Sequence, residues 1–246
     1  MKLKRMKKPK IVVVMPALNA ARTLAWTVGK IPPKSFHSII LVDDKSSDQT
    51  VKIAKKLGLK VIALPHNVGY GGTQKVCYLE ALRIKADIVV MLHPDGQYES
   101  EALPKLVNKI NSGFDLVLGS RFLPSSKNAL IGGMPRYKFF ANRFLTILQN
   151  LTFSTNLSEF HTGYRAYNRK FLETVPFLRN SNDFVFDSEI LAQAVSLNFK
   201  IGEIGVRSEY FKEASSVGFW TSLIYGLKTL GVLLKFYASK MINYGL

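Results

Sequence analysis

Three short apolar runs each end in side chains able to hold a charged ligand. Val12-Val13-Val14 leads into Met15-Pro16-Ala17-Leu18-Asn19, and Ile39-Ile40-Leu41-Val42 leads into Asp43-Asp44-Lys45-Ser46-Ser47-Asp48-Gln49-Thr50. Ile88 to Leu92 runs into His93-Pro94-Asp95-Gly96-Gln97. Asp43 and Asp44 can accept hydrogen bonds from a base N–H or from ribose hydroxyls; the same aspartates and serines can equally cap the next helix. The His93 segment offers alternate side chains at positions 93, 95 and 97. A hard divalent cation takes oxygen ligands and keeps substrate phosphates in its shell, so Asp95 and Gln97 with a diphosphate form a sensible set for Mg2+. Mn2+ accepts imidazole more readily, which brings in His93 directly or through water. Taken alone, Asp-Gly is only a turn and His93 a structural residue. In an open α/β sheet, however, ligands sit beyond the carboxyl ends of the strands, so three such exits outline one crevice suited to a nucleotide-sugar and a divalent metal.

The elements that must position these residues follow from the pattern. The first half alternates strand and helix signals at the spacing of a parallel sheet. Helices are expected over 20–31, stopped by Pro32-Pro33, and over 48–57, with Ser46 and Ser47 as caps and Gly58 as terminator. Lys60 to Ala63 supplies a third strand, and Asn67-Val68-Gly69-Tyr70-Gly71-Gly72 opens a helix over 73–85. A strand from Asp87, a helix over 100–110 and a strand over 115–118 come next. The stretch 125–133 reads as a loop by its Ser, Asn and Gly content. Phe139, Phe140, Arg143, Phe144, Ile147, Leu148 and Leu151 recur at helical spacing, which predicts an amphipathic helix over 136–151. Strands of a mixed sheet at 162–167 and 200–206 flank a helix over 186–197.

Composition sets outer bounds. The chain has 246 residues, 47% hydrophobic and 21% charged, enough to bury a full core as one α/β domain with appendages. Cys77 is the sole cysteine, so no disulfide forms within one chain, which fits a reducing compartment. The basic arm over 1–9 lacks the apolar run of a secretory signal, and the protein is expected on the cytoplasmic side. A formal net charge of +17 favours anionic partners: phosphates, nucleic acid or acidic lipid headgroups. No zinc-finger spacing, basic zipper or aromatic-basic RNA signature is present, so nucleic acid ranks below the others. The tail over 217–246 is apolar around most of its circumference, interrupted by Lys228, Lys235 and Lys240. Its longest uncharged run, Ala214 to Leu227, is shorter than the roughly 18 residues of a membrane span. Two readings stand: a helix lying in the membrane interface with snorkelling lysines, or a core or homodimer helix.

The succession Pro-Ala-Leu-Asn, Val-Asp-Asp-x-Ser-x-Asp-x-Thr, Asn-x-Gly-x-Gly-Gly, Asp-Gly-Gln and Gly-Ser-Arg-Phe resembles the family 2 glycosyltransferases with the GT-A fold. Thr162-Gly163-Tyr164-Arg165-Ala166-Tyr167 and the short C-terminal part resemble the branch containing dolichol-phosphate mannose synthases and polyprenyl-phosphate glycosyltransferases. The likeness implies a Rossmann-like, mixed but mostly parallel sheet over 10–216, flanked by helices. It also implies inverting transfer of a hexose from a nucleotide-diphosphate sugar, with Mg2+ or Mn2+ bridging the diphosphate. By the same resemblance, Pro16, Ala17 and Leu18 line the nucleotide with Asn67 and Gly69, Asp43 and Asp44 hold base and ribose, and Asp95, Gln97 and His93 hold the metal. The family usually has an acidic residue where His93 stands, and commonly Asn-Glu where this chain has Asn19-Ala20.

A leaving nucleoside diphosphate gains charge in the transition state, which fixed cations stabilise best where water is excluded. Arg121, Arg165, Arg207 and Lys212 lie in segments matching the family pattern, with Arg165 or Arg121 also suited to an acceptor phosphate. Glu159 and His161, just before Thr162, are further candidates for a proton-removing role, His161 rather as an acceptor-site or structural residue. A hydroxyl acceptor needs a carboxylate base, for which Asp187 and Glu189 are the first candidates, although they project roughly 200° apart on an ideal helix. A polyprenyl phosphate is already largely ionised near neutral pH, given a second pKa of about 6. The expected partners are therefore a nucleotide-diphosphate sugar, UDP before GDP, a polyprenyl phosphate and a membrane surface. The rivals are a glycosyltransferase acting on a polysaccharide or protein hydroxyl, and a catalytically silent polyanion- or membrane-binding module.

Overall fold

The protein, a computed structural model, is described over residues 8–125, 127–210 and 218–241. Its centre is a seven-stranded sheet: β1 (Ile11–Ala17), β2 (Ser38–Asp43), β3 (Lys60–Ala63), β4 (Ile88–Met91), β5 (Leu116–Ser120), β6 (Arg165–Asn168) and β7 (Ile201–Gly205), in the order β3-β2-β1-β4-β6-β5-β7. Neighbours pair in parallel except β6, which runs antiparallel to both β4 and β5. This is the mixed, mostly parallel sheet expected. Its Val- and Ile-rich central strands are buried on both faces, as a sheet covered by helices on each side requires.

Strand alternation divides the core into two layers. Val12, Val14, Ile40, Val42, Val89 and Met91 face α3 (Tyr70–Arg83), α7 (Arg169–Thr174) and α8 (Phe186–Ser196). Val13, Met15, Ile39, Leu41 and Val90 face α1 (Leu24–Gly29) and α4 (Leu103–Asn111), with Ala54 of α2 (Thr50–Lys56). The two-residue period of the strands thus builds a helix–sheet–helix sandwich. On the first face α9 (Phe219–Met241) inserts Leu233 and Phe236 into that core, with Phe236 edge-on to Phe153 of α6 (Arg136–Phe153) at 4.8 Å.

Several local expectations are corrected. The helix expected over 20–31 begins at Leu24, because Ala20 to Thr23 form turns whose backbone carries the β1 exit loop. Ser46 and Ser47 do not cap α2. Ser46 Oγ accepts from Asn19 N at 2.8 Å and Ser47 N donates to Asn19 Oδ1 at 2.9 Å, so the serines tie the β1 and β2 exits together. Gly71 and Gly72 belong to the first turn of α3 rather than to the loop before it. A Cβ on Gly71 would lie 2.5 Å from the Ser181 carbonyl oxygen, so glycine is what lets this turn press against the 181–183 backbone, where Gly71 N bonds Asn182 O at 2.8 Å. The stretch expected as a loop contains the short helix α5 (Lys127–Ile131), and α7 was not expected. Most of the basic arm and Lys212 lie outside the described residues.

Candidate active site

The β1, β2 and β4 exits meet the entry of β6 at one rim, because β6 runs the opposite way. There the chain encloses a cleft of about 840 Å³. Pro16, Ala17, Leu18, Asp44, Asn67 and Gly69 form one wall, and His93, Asp95 and Gln97 the floor. The opposite wall includes Lys138, Asn142 and Leu145 of α6 with Ser222 and Tyr225 of α9.

The aspartate pair divides its work. Asp44 lines the cleft, and its oxygens accept from Val68 N at 2.7 Å and Gly69 N at 3.1 Å, while Asn67 Nδ2 donates to its carbonyl at 3.2 Å. Asp44 thereby ties the loop opening α3 to the β2 exit. Asp43 is buried beneath, outside the cleft lining; its Oδ2 accepts from Ser46 N at 3.0 Å and its Oδ1 has no partner among the described residues. Asp43 thus keeps one carboxylate oxygen without a partner among the described residues but does not line the cleft as Asp44 does. Leu18 stands half exposed at the cleft mouth, an apolar plate beside these polar groups.

Burial alternates along the β4 exit, with residues 93, 95 and 97 half-buried toward the cleft and 94, 96 and 98 buried. Asp95 Oδ1 accepts from Gln97 N at 3.1 Å, and Oδ2 makes no hydrogen bond among the described residues. Enclosure raises the Asp95 pKa, with the His93 ring and the Gln97 amide opposing the rise. Desolvation likewise lowers the pKa of His93, which stacks 5.5 Å from Tyr70. Among the described residues no group of three or more His, Cys, Asp or Glu side chains converges on a point. One open carboxylate with an imidazole and an amide nearby is nevertheless the donor set that a cation sharing its shell with diphosphate and water uses. The residues fit such a cation.

The cationic expectations separate. Arg121 lines the cleft, forked onto Glu159 through Nε at 2.8 Å and through Nη2, with Nη1 donating to Tyr210 Oη at 2.6 Å and Nη2 to His161 O at 2.7 Å. Arg165 is fully buried, donating to the carbonyls of Thr162, Phe160 and Asp187 and facing Asp187 Oδ1 at 3.4 Å. It cannot reach an acceptor phosphate, and that expectation is corrected. Arg207 is exposed and outside the cleft lining, with only its backbone N–H donating to Glu99 Oε2 at 3.1 Å, so its side chain is not brought to the nucleotide wall. Lys138, which the sequence did not single out, lines the cleft; burial and then Arg121 lower its pKa.

The two candidate bases also part. Glu189 accepts from Ser181 N at 2.7 Å and Ser181 Oγ at 2.9 Å, away from the cleft, so it is a structural clamp rather than a base. Asp187 lines the cleft, but its Oδ2 accepts from Tyr70 Oη at 2.8 Å and its Oδ1 from Gln74 Nε2 at 3.3 Å besides facing Arg165. His161 Nδ1 lies 2.6 Å from Tyr225 Oη, and its Nε2 is buried without a partner among the described residues. Burial, then Arg121 and Arg165, hold its pKa down at about 3, so it is neutral. Tyr70 and Tyr225 were missed: the first occupies a variable position of its motif, the second an apparently apolar tail.

A sequence model of glycosyl transferase family 2 matches residues 12–175. The UDP-N-acetylglucosamine–dolichyl-phosphate N-acetylglucosaminyltransferase of Methanococcus voltae is 26% identical over 251 residues, covering 95% of this chain and 98% of that protein. The dolichyl-phosphate hexose transferase of Haloferax volcanii is 29% identical over 197 residues, covering 80% of this chain and 81% of that one. Among solved structures, glucosyl-3-phosphoglycerate synthase from Mycobacterium tuberculosis, in complex with Mn2+, UDP and phosphoglyceric acid, superposes with a TM-score of 0.69 at 17% identity, over 94% of this chain and 79% of that one. That likeness extends to the fold.

Proposed function

The chain belongs to glycosyl transferase family 2, and on that premise we propose that it moves a hexose, with inversion, from a nucleotide-diphosphate sugar to a polyprenyl phosphate. The observation that carries this reading is a cleft with a polar floor and nucleotide wall on one side and, on the other, two helices whose outer faces are apolar. Phe140, Phe144, Ile147 and Leu151 of α6 and Trp220, Leu223, Ile224 and Leu227 of α9 are exposed, while Lys138 and Tyr225 of the same helices line the cleft. An acceptor with a phosphate head and a hydrocarbon tail matches both surfaces. Similarity to two transferases named for dolichyl-phosphate acceptors supports the same class.

In this reading Pro16, Ala17 and Leu18 pack the nucleoside, the Asp44-braced loop shapes its ribose end, and Asp95 with Gln97 and His93 would hold Mg2+ or Mn2+. The bound cation supplies charge neutralisation for the departing diphosphate. Lys138 and the Glu159-anchored Arg121 add fixed positive charge on the facing wall, where exclusion of water strengthens it. The acceptor's phosphate oxygen forms the new bond to the anomeric carbon as the sugar–diphosphate bond breaks. Near neutral pH that oxygen is largely ionised already, with a second pKa of about 6. With such an acceptor Asp187 serves position rather than proton removal. The same apolar faces, with the +17 charge, support a peripheral position at the cytoplasmic face of a membrane. Among the described residues no helix is long and apolar enough to cross one.

The test is incubation of purified protein with UDP- and GDP-sugars, Mn2+ or Mg2+, and a short polyprenyl phosphate, followed by mass spectrometry. A metal-dependent glycosyl phospholipid is the expected product. Transfer to hydroxyl acceptors alone would establish the first rival, and absence of any nucleotide binding the silent module.

A further inference from the structure

A single phenol joins the floor of the cleft to α8. Tyr70 Oη lies 2.8 Å from Asp187 Oδ2 and 3.2 Å from His93 Nε2. Asp187 also faces the Arg165 guanidinium at 3.4 Å and accepts from Gln74 Nε2 at 3.3 Å, so both of its oxygens are met by donors. A phenol carries one proton. Tyr70 spends it on Asp187, and the contact to His93 is then Nε2–H donating to the phenol oxygen. A neutral imidazole protonated on Nε2 has its lone pair on Nδ1.

Packing closes the same edge of the ring. A Cβ on Gly163 would lie 2.5 Å from His93 Cδ2 and 2.6 Å from Nε2, so backbone and phenol together occupy the Nε2 side. Nδ1, on the opposite side of the ring, makes no hydrogen bond among the described residues, and His93 lines the cleft beside Asp95. Metal-binding histidines typically donate their second ring N–H to a partner that fixes tautomer and orientation. The carboxylate–phenol–imidazole chain built here has that form, with a tyrosine inserted.

We propose that Tyr70 and Asp187 are positioning residues of the cation site, holding His93 so that Nδ1 is an imidazole ligand beside Asp95 and biasing the site toward Mn2+ over Mg2+. Imidazole suits the softer ion, whereas Mg2+ favours oxygen. This deepens the metal-assisted reading above and rests on it.

Nitrogen-15 NMR of the metal-free full chain reads the tautomer directly: Nε2–H is expected on His93, and Nδ1–H overturns the relay. Mn2+ is then titrated with UDP and, in parallel, with GDP, using electron spin resonance for affinity and spin-echo modulation for nitrogen ligation. Expected are nitrogen-14 modulation that disappears in His93→Asp, and an affinity for Mn2+ about tenfold or more lower in Tyr70→Phe, with a smaller loss for Mg2+ by competition. Nucleotide-dependent Mn2+ binding without nitrogen modulation in the unaltered protein overturns the inference while the metal-assisted reading stands. Absence of nucleotide-dependent Mn2+ binding removes both.

Discussion

Asp95 is the residue on which the proposed chemistry turns, since its Oδ2 is the open carboxylate oxygen at the β4 exit. Asp95→Ala should leave the circular dichroism spectrum unchanged, abolish glycolipid formation, and remove the effect of Mn2+ on nucleotide binding measured by calorimetry. Glu159 makes a different demand. It is wholly buried and holds Arg121 together with Asn142 Nδ2 at 2.8 Å, so Glu159→Ala strands a buried guanidinium. Loss of one partner of such a pair costs about 3–5 kcal/mol, readable in urea unfolding. His161 should be visible in the acid limb of stability. Its folded pKa of about 3 lies below the 6.5 of an ordinary imidazole, so the unfolded chain takes up the proton first. Stability is therefore lost as pH falls from about 6.5 toward 3, by up to about 1.4 kcal/mol per pH unit, and His161→Gln should flatten that slope. At this scale the short motifs were legible: Pro16, Ala17, Leu18, Asp44, Asn67, Gly69, His93, Asp95 and Gln97 do share one cleft. The roles of long charged side chains were not. Arg165 and Glu189 find partners distant in the chain or across a turn, and no local pattern records which charge is already spoken for.

Elements were legible in proportion to their length. The 18-residue α6 and the 11-residue α8 lie within two residues of their expected bounds, because several turns of apolar spacing reinforce one another. The five- and six-residue helices α5 and α7 carry too few turns for a period to show, and α5 was masked by loop-forming Ser, Asn and Gly. The start of α3 was misplaced for a tertiary reason: of two glycines that ordinarily break helices, Gly71 is demanded by the approach of the 181–186 segment, while a Cβ on Gly72 would crowd Val68 at 3.0 Å. Gly71→Ala would put a methyl 2.5 Å from Ser181 O and 2.8 Å from Phe186 Cβ. Forcing that contact should cost about 1–3 kcal/mol by thermal or urea unfolding. It should also weaken nucleotide binding, because the same segment places Phe184 against Tyr70 at 4.6 Å.

The whole molecule joins a strongly basic chain to an apolar flank made by α6 and α9, which were legible separately as charge and as pattern. Their adjacency was not legible, since it depends on Leu233 and Phe236 reaching the core beside Phe153. Docking on anionic vesicles should therefore be both salt-sensitive and apolar. Replacing Leu223, Ile224 and Leu227 together with Ser removes about 1.5 kcal/mol or more per side chain. Vesicle co-sedimentation should fall more than a hundredfold, while calorimetric nucleotide binding is unchanged; a change in sedimentation velocity instead would mark these residues as a dimer seam. The reversed direction of β6 has an architectural outcome of its own. The chain leaves the rim after Ser120 and returns to it at Thr162, where Thr162 Oγ1 meets Gly119 O at 2.6 Å and Ser120 Oγ meets Ser158 Oγ at 2.6 Å. Departure and return are stitched together like the two ends of a cassette. Everything described between them, α5 and α6 included, is one excursion from the sheet whose two ends are fastened together at the rim, so a shift of α6 is transmitted to the place where β5 leaves and β6 begins.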